Sequence, residues 1–177
     1  MQQSKIISSK TLYQDNYTKV FKVETQKPNG KISTRVQMQK RSFVIVVPIN
    51  KEKQVLLGRE FRSALQKTVW MVPTGFVDPK ESPQKTAKRE LLEETGLLSK
   101  KLIPLYNLTG SSEYQQKGFA FLATNLTKDD SITPEYKTIP TSFQKATKMA
   151  LENKLGDRIG LVVIAAIERF KNFQRAN

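Results

Sequence analysis

A chain of 177 residues with 30 Lys and Arg against 16 Asp and Glu carries a formal charge of +14, and its 38% hydrophobic and 8% aromatic content is that of a globular domain, not a disordered chain. The absence of Cys and His excludes disulfides, thiolate metal sites and imidazole bases, so a bound metal would be a hard, oxygen-liking ion such as Mg²⁺ or Mn²⁺. The longest apolar run, LVVIAAI at 161–167, falls far short of the roughly 20 residues of a membrane span, and the first residues lack an apolar h-region and cleavage site, so the expected compartment is the cytoplasm.

Along the chain, three β-prone runs come first: KIISSKTLY, YTKVFKVET and KISTRVQMQ, with KPNGK at 27–31 as the clearest turn. They predict a small antiparallel unit over 1–40 that serves as a possible dimerisation element. The main domain, 41–177, opens with a nearly continuous apolar strand, RSFVIVVPI at 41–49, and a second strand, KQVLLGREF at 53–61. Further strands are expected at 101–108 and 117–124, with helices at 83–95, about 142–153 and 158–172. The positive charge has two readings, attraction of phosphate-bearing ligands or a soluble Lys-rich surface, and the Lys residues are spread along the chain instead of forming one block.

The stretch GFVDPKESPQKTAKRELLEETGL, 75–97, runs against this basic background, since four of the 16 acidic residues, Glu81, Glu90, Glu93 and Glu94, fall within 14 of its positions. Ser82 is suited to cap a helix, Pro83 to open it and Gly96 to end it. On that helix Glu90, Glu93 and Glu94 stand at i, i+3 and i+4 and share a face, while Ala87, Leu91 and Thr95 line another. Like charges at this spacing repel, and the helix dipole disfavours anions near its C-terminus. A divalent cation between the carboxylates would reverse both effects; Lys85, Lys88 and Arg89 could otherwise balance a solvated acidic face.

The spacing fits G-x5-E-x7-R-E-U-x-E-E-x-G-U, U being aliphatic, through Gly75, Glu81, Arg89, Glu90, Leu91, Glu93, Glu94, Gly96 and Leu97. A chance match is of order 10⁻⁹ per starting position. This resembles the box of the Nudix hydrolases at every fixed position. The resemblance implies an α/β fold, a three-layered α/β/α sandwich with a mixed sheet, and hydrolysis of a nucleoside diphosphate linked to another group. It also implies Mg²⁺ or Mn²⁺ held by Glu90 and Glu94, with Glu93 as a further ligand or a base and the Thr74 carbonyl as another ligand. Arg89 would orient the carboxylates, and Glu81 would support the site from its loop.

The preceding stretch, GREFRSALQKTVWMVPTG at 58–75, resembles the ADP-ribose and nucleoside-diphosphate-sugar pyrophosphatase branch. Phe61 and Arg62 match its aromatic-Arg pair, and Pro73, Thr74 and Gly75 its segment leading into the box. Arg62 would contact substrate phosphate or ribose, and Trp70 would wall a nucleotide pocket or serve as a buried structural residue. Two positions depart from the branch: Met71 stands where it has Glu, and Thr109-Gly110 where it often has Pro-Gly. Glu135, with Glu113 as competitor, is the candidate for a distal catalytic acid. The implied partners are a nucleotide-diphosphate substrate and a second copy of the chain, without a membrane, and nucleic acid stays open as an alternative partner. Alternatives are a Nudix enzyme acting on nucleoside triphosphates or RNA 5′ ends and a non-catalytic nucleotide sensor, which the intact box disfavours.

Overall fold

The structure, a computed structural model, describes residues 3–111 and 113–175. By internal contacts the chain divides into two compact units, Met1–Ser42 with Leu108–Lys117, and Phe43–Asn107 with Gly118–Asn177.

In the first unit β1 (Lys5–Gln14), β2 (Thr18–Gln26) and β3 (Ile32–Lys40) form an antiparallel meander. Its second turn is the KPNGK segment, closed by the Gly30 amide donating to the Lys27 carbonyl, with Gly30 at φ 79°. Its first turn is held by Asp15, whose Oδ1 accepts from the Tyr17 and Thr18 amides. The segment 108–117 joins this unit by pairing the short β9 (Tyr114–Gln115) in parallel with β3, while Glu113 forms an ion pair with Arg35. β1 is exposed along its whole length, with Ile6, Leu12 and Tyr13 more than half exposed.

The second unit is built on a mixed sheet in the order β7-β4-β10-β8, formed by β4 (Phe43–Pro48), β7 (Thr74–Phe76), β8 (Leu97–Leu108) and β10 (Gly118–Lys128). β4 and β10 run parallel and β7 lies antiparallel to β4. Because side chains alternate across a strand, Val44, Val46, Phe121 and Ala123 face α1 (Pro83–Thr95), where they enclose Ala87 and Leu91. The alternate residues Ile45, Val47, Ala120 and Leu122 are also buried, α3 (Asp157–Arg175) packs on β4 and β10, and its Val162, Val163 and Ala166 are buried. α2 (Phe143–Leu151) packs on α3, with Phe143 meeting Phe170 edge-on at 5.7 Å. A second sheet, β11-β5-β6, pairs β5 (Gln54–Arg62) with β6 (Lys67–Met71) on one side and β11 (Ile139–Ser142) on the other, all antiparallel.

The class is the expected α/β with a mixed sheet, and among the described residues no helix is long and apolar enough to cross a membrane. The strand expected at 101–108 begins at Leu97, directly after the helix. β6, β7, β9 and β11 are additional, short strands defined by partners distant in sequence, which local patterning does not encode.

Candidate active site

α1 forms as its caps dictate. Ser82 Oγ accepts from the Lys85 amide at 3.3 Å, Pro83 occupies the first turn, and Gly96 ends the helix at φ 67° with its amide on the Leu92 carbonyl. Thr86, Ala87, Leu91, Glu94 and Thr95 are buried. The three box glutamates are therefore not equally placed: Glu94, three residues after Leu91, turns toward the core and is 6% exposed, while half of the Glu93 side chain remains in solvent.

Arg89 is the centre of the acidic group. Its Nη1 donates to Glu90 Oε1 at 2.8 Å and to Glu93 Oε2 at 2.9 Å, and its Nη2 reaches Glu81 Oε2 at 3.1 Å. Glu81 Oε2 also accepts from Thr86 Oγ1 at 2.8 Å. The Arg89 hydrogen bond holds the Glu81 carboxyl below its usual range despite some desolvation. Burial alone would lower the Arg89 affinity for its proton, but Glu81, Glu93 and Glu90 raise it further and keep the guanidinium charged.

Glu94 occupies a different environment. Its Oε1 accepts from the Thr74 amide at 3.3 Å and its Oε2 from the Tyr136 hydroxyl at 2.8 Å. Burial pushes its pKa up to about 8 against the lowering effect of these two bonds, and the charges of Glu90 and Glu135 push it the same way. Glu90 is raised too, first by burial and then by Glu93 and Glu135, with Arg89 opposing. A cleft of about 260 Å³ opens here, lined by Arg59, Glu60, Phe61, Met71, Glu94, Glu135 and Tyr136. The segment bearing Glu135 and Tyr136 is docked on the end of α1, their amides donating to the Glu93 and Glu94 carbonyls at 3.3 and 3.2 Å. These bonds satisfy two carbonyls that the helix terminus would leave open.

Two observations test the fit of a divalent cation. The buried Glu94 lies in the mutual field of Glu90 and Glu135, so a positive charge would relieve both the burial and the repulsion. At Gly75 a Cβ would stand 1.9 Å from Glu90 Oε1, so this carboxylate occupies space that only glycine leaves open. The donor chemistry fits a hard ion. Among the described residues, however, no three acidic side chains converge into a ready-made cage. Glu90 and Glu93 are held by Arg89, and Glu94 by Tyr136 and Thr74.

The structure brings Phe61, Glu94 and Glu135 to one cleft, with Glu90, Glu93, Glu81 and Arg89 linked around Arg89 and Thr74 and Gly75 beside Glu94 and Glu90. Arg62 and Trp70 line another cavity, of about 750 Å³, together with Lys67, Lys154, Leu155 and Ile159. There Arg62 is paired with Glu60 at 3.0 Å, and Trp70 lies under the Arg59 guanidinium at 5.3 Å. Glu113 belongs to the other unit and pairs with Arg35. Sequence reasoning missed Tyr136, Arg59 and Glu60. Gly58 was the available signal: a glycine inside a strand marks a close approach, and a Cβ there would lie 2.1 Å from the Tyr136 ring.

A NUDIX domain model matches residues 38–140. The chain is 28% identical over 160 residues to an ADP-ribose pyrophosphatase of Bacillus subtilis, covering 86% of this chain and 82% of that protein. It is also 28% identical to an ADP-ribose pyrophosphatase of Mycobacterium tuberculosis, covering 68% of this chain and 59% of the relative. An RNA pyrophosphohydrolase of Bartonella henselae is 33% identical over 153 residues, 64% of this chain and 88% of that protein. A solved structure described as an ADP compounds hydrolase superimposes with a TM-score of 0.85 over 99% of this chain and 98% of the other at 23% identity, a likeness of fold.

Proposed function

The chain belongs to the Nudix family, and from that premise we propose that it hydrolyses the pyrophosphate bond of a nucleoside diphosphate derivative, ADP-ribose or a related nucleotide sugar, with Mg²⁺ or Mn²⁺. The observation that carries this reading is the placing of buried Glu94 beside Glu90, with Glu135 brought to the same cleft. The similarity to the Bacillus subtilis protein along most of both chains supports the substrate class.

Glu90 and Glu94 would hold the ion, with Glu93 and the Thr74 carbonyl as further ligands. When bound, it neutralises phosphate charge and lowers the pKa of a water. Arg89, tied to Glu81, keeps Glu90 and Glu93 oriented. Glu135 accepts the proton of the attacking water, which takes the place of one phosphate oxygen on phosphorus as the pyrophosphate bond breaks. Phe61 lines the cleft, while Arg62, beside Trp70, offers a cation to a phosphate or ribose of the bound nucleotide.

The fully exposed β1, with its apolar side chains, supports a homodimer formed through the 1–40 unit, with 41–177 as the hydrolase domain. The cytoplasm is the compartment proposed.

A second reading, action on RNA 5′ ends or nucleoside triphosphates, is favoured by the +14 charge and the similarity to RNA pyrophosphohydrolases. Product analysis separates the two. With Mg²⁺, ADP-ribose should give AMP and ribose 5-phosphate. Release of pyrophosphate or orthophosphate from a 5′-triphosphate RNA, with ADP-ribose left intact, would replace the first reading by the second.

A further inference from the structure

We propose that Tyr136 is a positioning residue that holds the Glu94 carboxylate in its metal-binding place, and that Gly58 is the seat this requires; the inference rests on the metal-dependent hydrolase reading. Three features converge on Tyr136. Its hydroxyl donates to Glu94 Oε2 at 2.8 Å, its amide donates to the Glu94 carbonyl at 3.2 Å, and its ring covers the bare Cα of Gly58.

The contact is specified from two sides. β11 pairs with β5 in a register that sets Ile139 against Leu57, so residues just before β11 are delivered over Gly58. The preceding loop is bound to the helix end by the Asp129 amide donating to the Gly96 carbonyl and the Glu135 amide donating to the Glu93 carbonyl. Tyr136 thus links a strand of one sheet to the helix that carries the box. Glu94 is shared between two donors, the Tyr136 hydroxyl and the Thr74 amide, so its carboxylate orientation depends on both. An outer partner that orients a ligand typically changes metal affinity or activity by roughly 10- to 100-fold when lost.

Tyr136→Phe removes the hydroxyl while keeping the ring on Gly58 and both backbone bonds. Gly58→Ala leaves Tyr136 intact but displaces it, since the new Cβ would lie 2.1 Å from Cε2. The principal readout is Mn²⁺ binding to the whole protein without substrate, followed by the electron paramagnetic resonance signal of free Mn²⁺. The affinity of Tyr136→Phe should fall about tenfold, with kcat lowered similarly and KM for ADP-ribose unchanged. Gly58→Ala should reproduce the loss. The double variant should lose no more than the larger single effect, because both act through one contact.

Mn²⁺ affinity within twofold of wild type in Tyr136→Phe overturns the proposal, whatever happens to thermal stability, and so does full additivity in the double variant. Wild-type protein that binds no Mn²⁺ removes the metal reading itself, and this inference with it. Wild-type binding with unaltered variants removes this inference alone.

Discussion

Replacing Glu94 by Gln tests the electrostatics of the site through folding, independently of catalysis. In the folded protein burial raises the Glu94 pKa from 4.5 to about 8. A folded pKa above the unfolded one means that stability is fully present below about pH 4.5 and is lost as pH rises through about 8. Each pH unit in that window is worth about 1.4 kcal/mol, so without metal the charged carboxylate costs the fold roughly 4 kcal/mol by about pH 9. Glu94→Gln carries no charge to bury and should escape this loss. The assay is urea unfolding of both proteins in EDTA at several values between about pH 5 and pH 9. The free energy of wild type relative to Glu94→Gln should fall by about 4 kcal/mol across the window, and Mg²⁺ or Mn²⁺ should restore the alkaline stability of wild type only. Turnover of Glu94→Gln should be lower by orders of magnitude. Parallel stability curves for the two proteins would refute the buried-charge argument, and wild-type turnover would refute the metal-site reading.

Other perturbations probe neighbouring steps of the reasoning. Gly75→Ala puts a Cβ 1.9 Å from Glu90 Oε1, and displacing that carboxylate should lower kcat about 100-fold with much less effect on the urea midpoint. Arg62→Ala should reduce kcat/KM for ADP-ribose roughly ten- to hundredfold, mostly in KM, and Lys should substitute poorly; no change for any nucleotide sugar would leave Arg62 as a partner of Glu60 only. Light scattering at micromolar concentration should give the mass of two chains, and Ile6→Lys with Tyr13→Lys on exposed β1 should give one.

Much of the site was legible because its determinants are local. Helix α1 is written in Ser82, Pro83 and Gly96, and the periodicity of Ala87, Leu91 and Thr95 assigns the buried face. Helix geometry brings Arg89, Glu90, Glu93 and Glu94 together, since residues three and four apart share a face, while Glu81, which precedes the helix, joins them through the resemblance of the box. The apolar run of β4 likewise announces a strand buried on both faces. Tertiary structure decided what depends on distant partners. Helical spacing sets Glu94, seven residues after Ala87 and three after Leu91, toward the buried face, but only packing against distant elements decides how deeply it is buried. That burial is the main cause that raises the Glu94 pKa, while Glu93 stays half in solvent. β11 exists because β5 offers it an edge, and residues 108–117 return to the first unit by pairing with β3. Tyr136 reaches Glu94 across 42 positions of sequence. Neither residue carries a local mark of that contact, because the meeting of a helix end with a distant loop is set by packing and not by periodicity.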